Sequence, residues 1–306
     1  MGRAFGVWSR RLRTFAAVSA DSIASVEHVL DGVRVGTVED EDGPTGCTAI
    51  VFDRGAAAAV DVRGGAPGTV GERYGFLSAL VFAGGSLLGL AAVTGAADAI
   101  HAARGRGTGW FDIPTVAGAI LNDYVAGRSW RFPNAALGAA AVAAAEPGFV
   151  KIGRVGAGRS ATCGKLPPPG VDAGQGAAAW TDGSTSVLVV TVVNAVGSII
   201  GRDGRARLGP DPVDRLVAAE GRSSGSNTTL TAVVTDARLD ATALGQLARQ
   251  VHTSMGRAIQ PFHTSTDGDA LWALTTGTSS ATVSADVLAW RASEVAWDAV
   301  LSFTGH

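Results

Sequence analysis

Lysine is nearly absent from this sequence: among 25 basic residues, only Lys151 and Lys165 are lysines. Cysteine is equally scarce, at two residues in a chain of 306. Cys47 and Cys163 cannot supply a disulfide framework for so long a chain and read as small, buried, reduced residues. No Cys/His spacing of zinc type accompanies them, so no structural metal is expected. Charged residues make up only 17%, with a formal net charge of -2. That balance offers no basic stripe for nucleic acid or an anionic membrane. One stretch, Tyr74 to Ala97, carries no charge and is long enough to suggest a membrane span. Gly84, Gly85, Gly89 and Gly95 interrupt it, and a buried strand running into a buried helix explains it better. Near the start, Arg10-Arg11 followed by Phe15 to Ala20 resembles an export signal. Its apolar run is shorter than the roughly 7–15 residues an export core needs, and Asp21 ends it, so a cytoplasmic protein is expected.

What the chain has in abundance is glycine, at 42 residues, together with alanine and a 46% hydrophobic content. Small residues let backbones approach closely, and the apolar fraction is ample for a large core. Residues 33–38, 47–53 and 57–63 read as short strands, and Leu77 to Ala83 as an apolar one. After the turn Gly84-Gly85-Ser86, Leu87 to Ala103 has helical character. Thr115 to Val125 and Asn134 to Ala145 also read as helices. Ser186 to Asn194 carries a β-branched run expected to be buried on both faces. Gly201 to Asn227 reads as a solvated connection that stops abruptly at the buried strand Thr228 to Val234. Leu239 to Ile259 reads as an amphipathic helix, Leu271 to Thr275 as a strand and Ser284 to Ser302 as the last helix. The mixture fits a layered α/β sandwich and not a helical bundle.

The sharpest chemical feature is the junction Asn227-Thr228, where a polar loop meets a buried strand that begins with Thr. If the bond before Thr228 breaks, that residue carries a hydroxyl and a free α-amine. The amine, with an ordinary pKa of roughly 7.7–8.0, can take the hydroxyl proton. The same residues also suit an ordinary loop-to-strand boundary. Lys165, in the Gly-rich segment Gly156 to Lys165, is either a tuned amine beside a hydroxyl or a plain surface lysine. That segment lacks the glycine spacing and the Ser or Thr after Lys of a phosphate loop. Asn194, at the end of its strand, can donate to an oxyanion or form a turn. Asp267-Gly268-Asp269 can orient an ammonium or simply turn the chain, and no further oxygen ligands follow at calcium-loop spacing. His263 reads as structural.

Taken in order, seven blocks resemble one family. They are Gly32 to Gly36; Asp61 to Thr69; Gly84-Gly85-Ser86 with Gly89-Leu90; Gly156-Ala157-Gly158 to Gly164-Lys165; Val193 to Gly197; Asn227 to Leu230 with Val234 to Ala237; and Asp267 to Asp269. The sequence resembles the L-aminopeptidase/D-esterases, β-peptidyl aminopeptidases and nylon-oligomer hydrolases, from about Gly32 to Thr276. The resemblance implies a four-layer αββα sandwich spanning 1–306, made as one chain that cuts itself into segments 1–227 and 228–306, with 201–227 as the connection before the cut. It implies Thr228 as nucleophile, Lys165 as its hydrogen-bonding cationic partner, Asn194 as oxyanion donor and Asp267 and Asp269 as the acidic pair holding the network. Gly85, Ser86 and Tyr124 are expected to meet substrate. The implied activity is hydrolysis of peptide or non-standard amide bonds through an acyl-enzyme, without metal or organic cofactor. The expected partners are a small peptide or amide substrate and further copies of the chain, as a dimer or tetramer, with no nucleic acid and no membrane. An acyltransferase or cyclising enzyme using the same acyl-enzyme, or an uncut binding protein of the same fold, are the alternatives.

Overall fold

A computed structural model describes residues 24–124, 130–166, 170–211, 227–281 and 283–304. The export-like segment before residue 24 and most of the connection expected over 201–227 lie outside the described residues. The main strands are β1 (Val33–Asp40), β2 (Thr45–Val62), β3 (Phe76–Ala83), β4 (Val116–Ile120), β5 (Gln175–Thr181), β6 (Ser186–Asn194), β7 (Thr228–Thr235) and β8 (Ala270–Thr275). Among the described residues the α-helices are α1 (Ala91–Ala103), α2 (Ala135–Ala143), α3 (Ala241–Ser254) and α4 (Ala285–Leu301).

The strands run in the order β5-β6-β7-β8-β2-β3-β4, with β1 also on β2. The 18-residue β2 belongs to two half-sheets. Its first part pairs with β1 and β3, and after an irregularity between Val51 and Ala56 its second part pairs with β8. Such a break bends a strand and lets one sheet fold into two layers. The packing confirms this. Phe52, Leu80 and Phe82 from one half and Leu188, Leu230 and Trp272 from the other form a single inner core. Phe82 and Trp272 meet at 6.2 Å between ring centroids. On one outer face α1 and α2 cover β2, β3 and β4; on the other α3 and α4 cover β5 to β8. The four layers are therefore helices, sheet, sheet, helices, as expected.

The central strands have no solvated face. Ser186–Asn194 and Thr228–Thr235 are buried at every position, which explains their unbroken β-branched runs. Three of their threonines are satisfied internally: Thr191 and Thr231 share a hydroxyl bond of 2.9 Å, and Thr235 donates to Ser186 O at 2.8 Å. Residues 77–103 follow expectation as a strand, a 3-10 turn (Ser86–Leu90) and a helix. Ser86–Ala103 is the one helical stretch among the described residues long and apolar enough to cross a membrane, and it lays Ala92, Val93, Ala96 and Ile100 on the sheet.

Four expectations need correction. Residues 47–53 and 57–63, read as two short strands, belong to one continuous strand, Thr45–Val62. The helix expected over 115–125 is replaced by strand β4 at Val116–Ile120, parallel to β3. The Ala-rich composition misled, because here small residues serve strand packing. A Cβ on Gly118 would stand 2.5 Å from Val93 Cγ2 and 2.6 Å from Val81 O. The helix expected over 239–259 ends at Ser254, and the chain continues through a 3-10 turn into a short strand, Ile259–Gln260. Within the connection, Ala206–Leu208 forms a short strand against Ser198–Ile200.

Candidate active site

Strands β7 and β8 run parallel, so Thr228 at the start of one and Asp267 to Asp269 just before the other share one end of the sheet. Strand β6 runs antiparallel to β7 and brings Asn194 directly opposite Thr228. Topology alone thus gathers three blocks that lie far apart in sequence. Thr228 is 3% exposed, and its hydroxyl donates to the carbonyl oxygen of Asn227 at 2.5 Å. Asn227 extends β7 by one residue, in a parallel bridge to Asp267. Its N–H donates to Thr266 O at 3.0 Å, and its carbonyl oxygen accepts from Gly268 N–H at 2.6 Å. The carbonyl oxygen of the peptide bond between Asn227 and Thr228 is therefore held by two donors, the Thr228 hydroxyl and Gly268 N–H.

The two aspartates are fully buried, and both are spent on backbone donors. Asp269 accepts from Thr229 N–H at 2.6 Å with one oxygen, and with the other from His263 N–H and His263 Nδ1 at 3.0 Å each. Asp267 accepts from Val196 N–H at 3.2 Å, and from Thr264 N–H at 3.0 Å and its hydroxyl at 2.5 Å. Burial, and then the charge of neighbouring Asp269, push the Asp267 carboxyl above the usual range. These bonds fix the 263–269 turn and the first peptide of β7 against each other.

Lys165 is buried, and removal from water pulls its ammonium down to about 8, an effect opposed by the charges of Asp267, Cys163 and Asp123. It donates to Asn194 O at 3.0 Å and Asn194 Oδ1 at 2.9 Å. In the whole chain its bonds reach the residue facing Thr228 across the strand pair, not Thr228 itself. Asn194 Oδ1 also accepts from Thr162 N–H at 3.1 Å, and Asn194 Nδ2 donates to Asn122 O at 3.0 Å.

Gly85 and Tyr124 meet: the phenol donates to Gly85 O at 3.1 Å. Ser86 N–H donates to Leu121 O at 3.0 Å, closing the turn onto the same segment. Asp123, between Asn122 and Tyr124, accepts from Gly85 N–H and from the Thr45 hydroxyl, both at 2.7 Å. Burial raises its carboxyl above the ordinary range. Gly268 was missed; the only signal was its place between two aspartates. Among the described residues no group of three or more His, Cys, Asp or Glu is gathered to hold a metal.

The comparisons with known proteins point the same way. Residues 27–305 match the model of "Peptidase family S58". A 6-aminohexanoate-oligomer endohydrolase of Paenarthrobacter ureafaciens is 40% identical over 88% of this chain and 83% of its own length. A putative NylC-analogous protein of Agromyces sp. (strain KY5R) is 40% identical over 88% and 96%. Among solved structures, a Burkholderia sp. beta-aminopeptidase superposes with a TM-score of 0.63 at 21% identity, covering 89% of this chain and 84% of that one. An L-aminopeptidase D-Ala-esterase/amidase from Ochrobactrum anthropi, whose title describes a variant of the Ntn hydrolase fold, gives 0.63 at 18%, with the same coverage.

Proposed function

The chain belongs to peptidase family S58 and is an Ntn-type hydrolase of peptide or amide bonds; from that premise we propose that it is a threonine-nucleophile enzyme that activates itself by cutting between Asn227 and Thr228. The observation that carries this reading is the Thr228 hydroxyl held on the carbonyl of the preceding residue at 2.5 Å. In self-cleavage Thr228 Oγ adds to the Asn227 carbonyl carbon, the C–N bond breaks, and the proton passes to the Thr228 nitrogen. Water then hydrolyses the ester. In turnover the freed α-amine takes the Oγ proton, Oγ attacks an external amide, and the leaving amine carries the proton away. Lys165 places positive charge beside the reacting oxygens, and Asn194 donates to the external oxyanion. Asp267 and Asp269 hold the turn that positions the nucleophile.

For substrate, we propose a linear oligoamide cut at an internal bond, by analogy with the printed activity of the 40% identical relatives. Leu87 and Leu88, which directly follow the Gly85-Ser86 turn, are exposed and suit an aliphatic chain. Exposed Trp110 and Phe111 suit association of processed units into a dimer or tetramer. The test is Thr228→Ala. This variant is expected to stay whole on a denaturing gel and to leave 6-aminohexanoate oligomer intact, while wild type releases amine. A Thr228→Ala protein that still cuts itself and turns over would sink the proposal. Adding a competing amine to wild type separates hydrolysis from acyl transfer through the product formed.

A further inference from the structure

Self-cleavage puts a negative charge on one atom, the carbonyl oxygen of Asn227. We propose that the backbone N–H of Gly268 is the donor that stabilises this oxyanion. The inference rests on the self-cleavage reading and adds a specific catalytic group to it. As Thr228 Oγ bonds to the Asn227 carbon, the carbonyl π pair moves onto oxygen. When the pair returns, the C–N bond breaks, and the Oγ proton ends on the Thr228 nitrogen. Throughout, the oxygen sits on a donor already 2.6 Å away before any bond has changed. A donor aimed in advance at developing charge needs no reorganisation at the moment of reaction.

The surroundings show why this N–H stays in place. Residue 267 is tied by its N–H to Thr264 O at 3.1 Å, by its carbonyl to Ala66 N–H at 2.8 Å and by its carboxylate to Thr264 and Val196. Asp269, on the other side, is tied to Thr229 and His263. Asn227 N–H on Thr266 O fixes the orientation of the scissile carbonyl. The glycine itself is required by the same close approach. A Cβ at 268 would stand 2.8 Å from Thr228 Oγ1 and 2.7 Å from Ala66 O, closer than real Cβ contacts allow. Asn194 Nδ2 donates to Asn122 O in the uncut chain, and on the proposed reading it serves the external substrate once the chain is cut. Self-cleavage and turnover then use different donors.

Replacing Gly268 by glycolic acid in cell-free translation of the full chain converts its N–H to an ester oxygen and adds no bulk. Glycolic acid at Gly277 is the control, because that N–H also makes a bond, to Thr275 Oγ1 at 3.0 Å, at the other end of β8. The 268 ester is expected to cut about 10²–10³-fold more slowly than wild type, and the 277 ester at the wild-type rate. A 268 ester that cuts as fast as the 277 ester overturns the assignment but leaves self-cleavage standing. A wild-type chain that never cuts overturns both. Should the 268 ester fail to fold, the Thr228→Ala chain supplies an independent readout. A through-hydrogen-bond NMR coupling between the Gly268 nitrogen and the Asn227 carbonyl carbon is expected there, and its absence contradicts the assignment.

Discussion

The two ends of strands β7 and β8 differ in kind. At the far end, beyond Thr275, lies an open cavity of about 580 Å³ lined by Asp31, Arg54, Phe76, Arg238, Asp240 and Thr276. Its Arg54–Asp31 pair is mostly exposed, at 61% and 79%, so water screens it. At the near end Asp123, Lys165, Asp267 and Asp269 are all at most 6% exposed, and each is bonded to a named partner. Charges held out of water are costly unless they are paired, so a fold that keeps four of them together is keeping them for chemistry or for strict positioning. On the proposed reading Asn227, itself 1% exposed, occupies the near end until the chain is cut.

Substitutions at the two ends sharpen this contrast. The larger effect is expected from Lys165→Met, which removes the buried ammonium and its bonds to Asn194. Self-cleavage, followed on a denaturing gel, should slow by about 10²–10⁴-fold. The same variant has a signature in stability. The folded ammonium titrates at about 8, against an ordinary 10.5. Between these values the unfolded chain holds a proton that the folded chain lacks, so stability contributed at this site rises with pH across that window; below about 8 the full burial penalty applies. Wild type should therefore gain on Lys165→Met in urea midpoints as pH rises from 8 towards 10, by at most on the order of 3 kcal/mol. Parallel midpoints would mean that Lys165 is not buried as a cation. The smallest effect is expected from Arg54→Ala at the far end. Self-cleavage and turnover should stay within about twofold of wild type, as for other exposed ion pairs. A tenfold loss there would erase the distinction between the two ends.

Much of this was legible in the sequence, and the exceptions are physical. The strand at Thr228 announced itself by an abrupt change from polar loop to β-branched run. The Lys165 anomaly stood out because the chain otherwise uses arginine. Strand β4 was hidden because Val-Ala-Gly-Ala-Ile has no strand periodicity; burial on both faces and the close approach of α1 select its small residues. Gly268 was hidden because a backbone donor has no side-chain signature. The partners of Asp123, Thr45 and Gly85, were hidden because they are brought to it only by the return of the chain after β4. Composition and spacing report what a residue can do; the register of β6, β7 and β8 decides which of those abilities meet.

The central claim is tested most directly by the denatured mass of freshly purified wild-type protein. Two fragments whose masses sum to the whole chain plus one water, the smaller beginning at Thr228, are the expected result. A single uncut chain that nevertheless hydrolyses amides, or a cut at any other bond, would contradict the account.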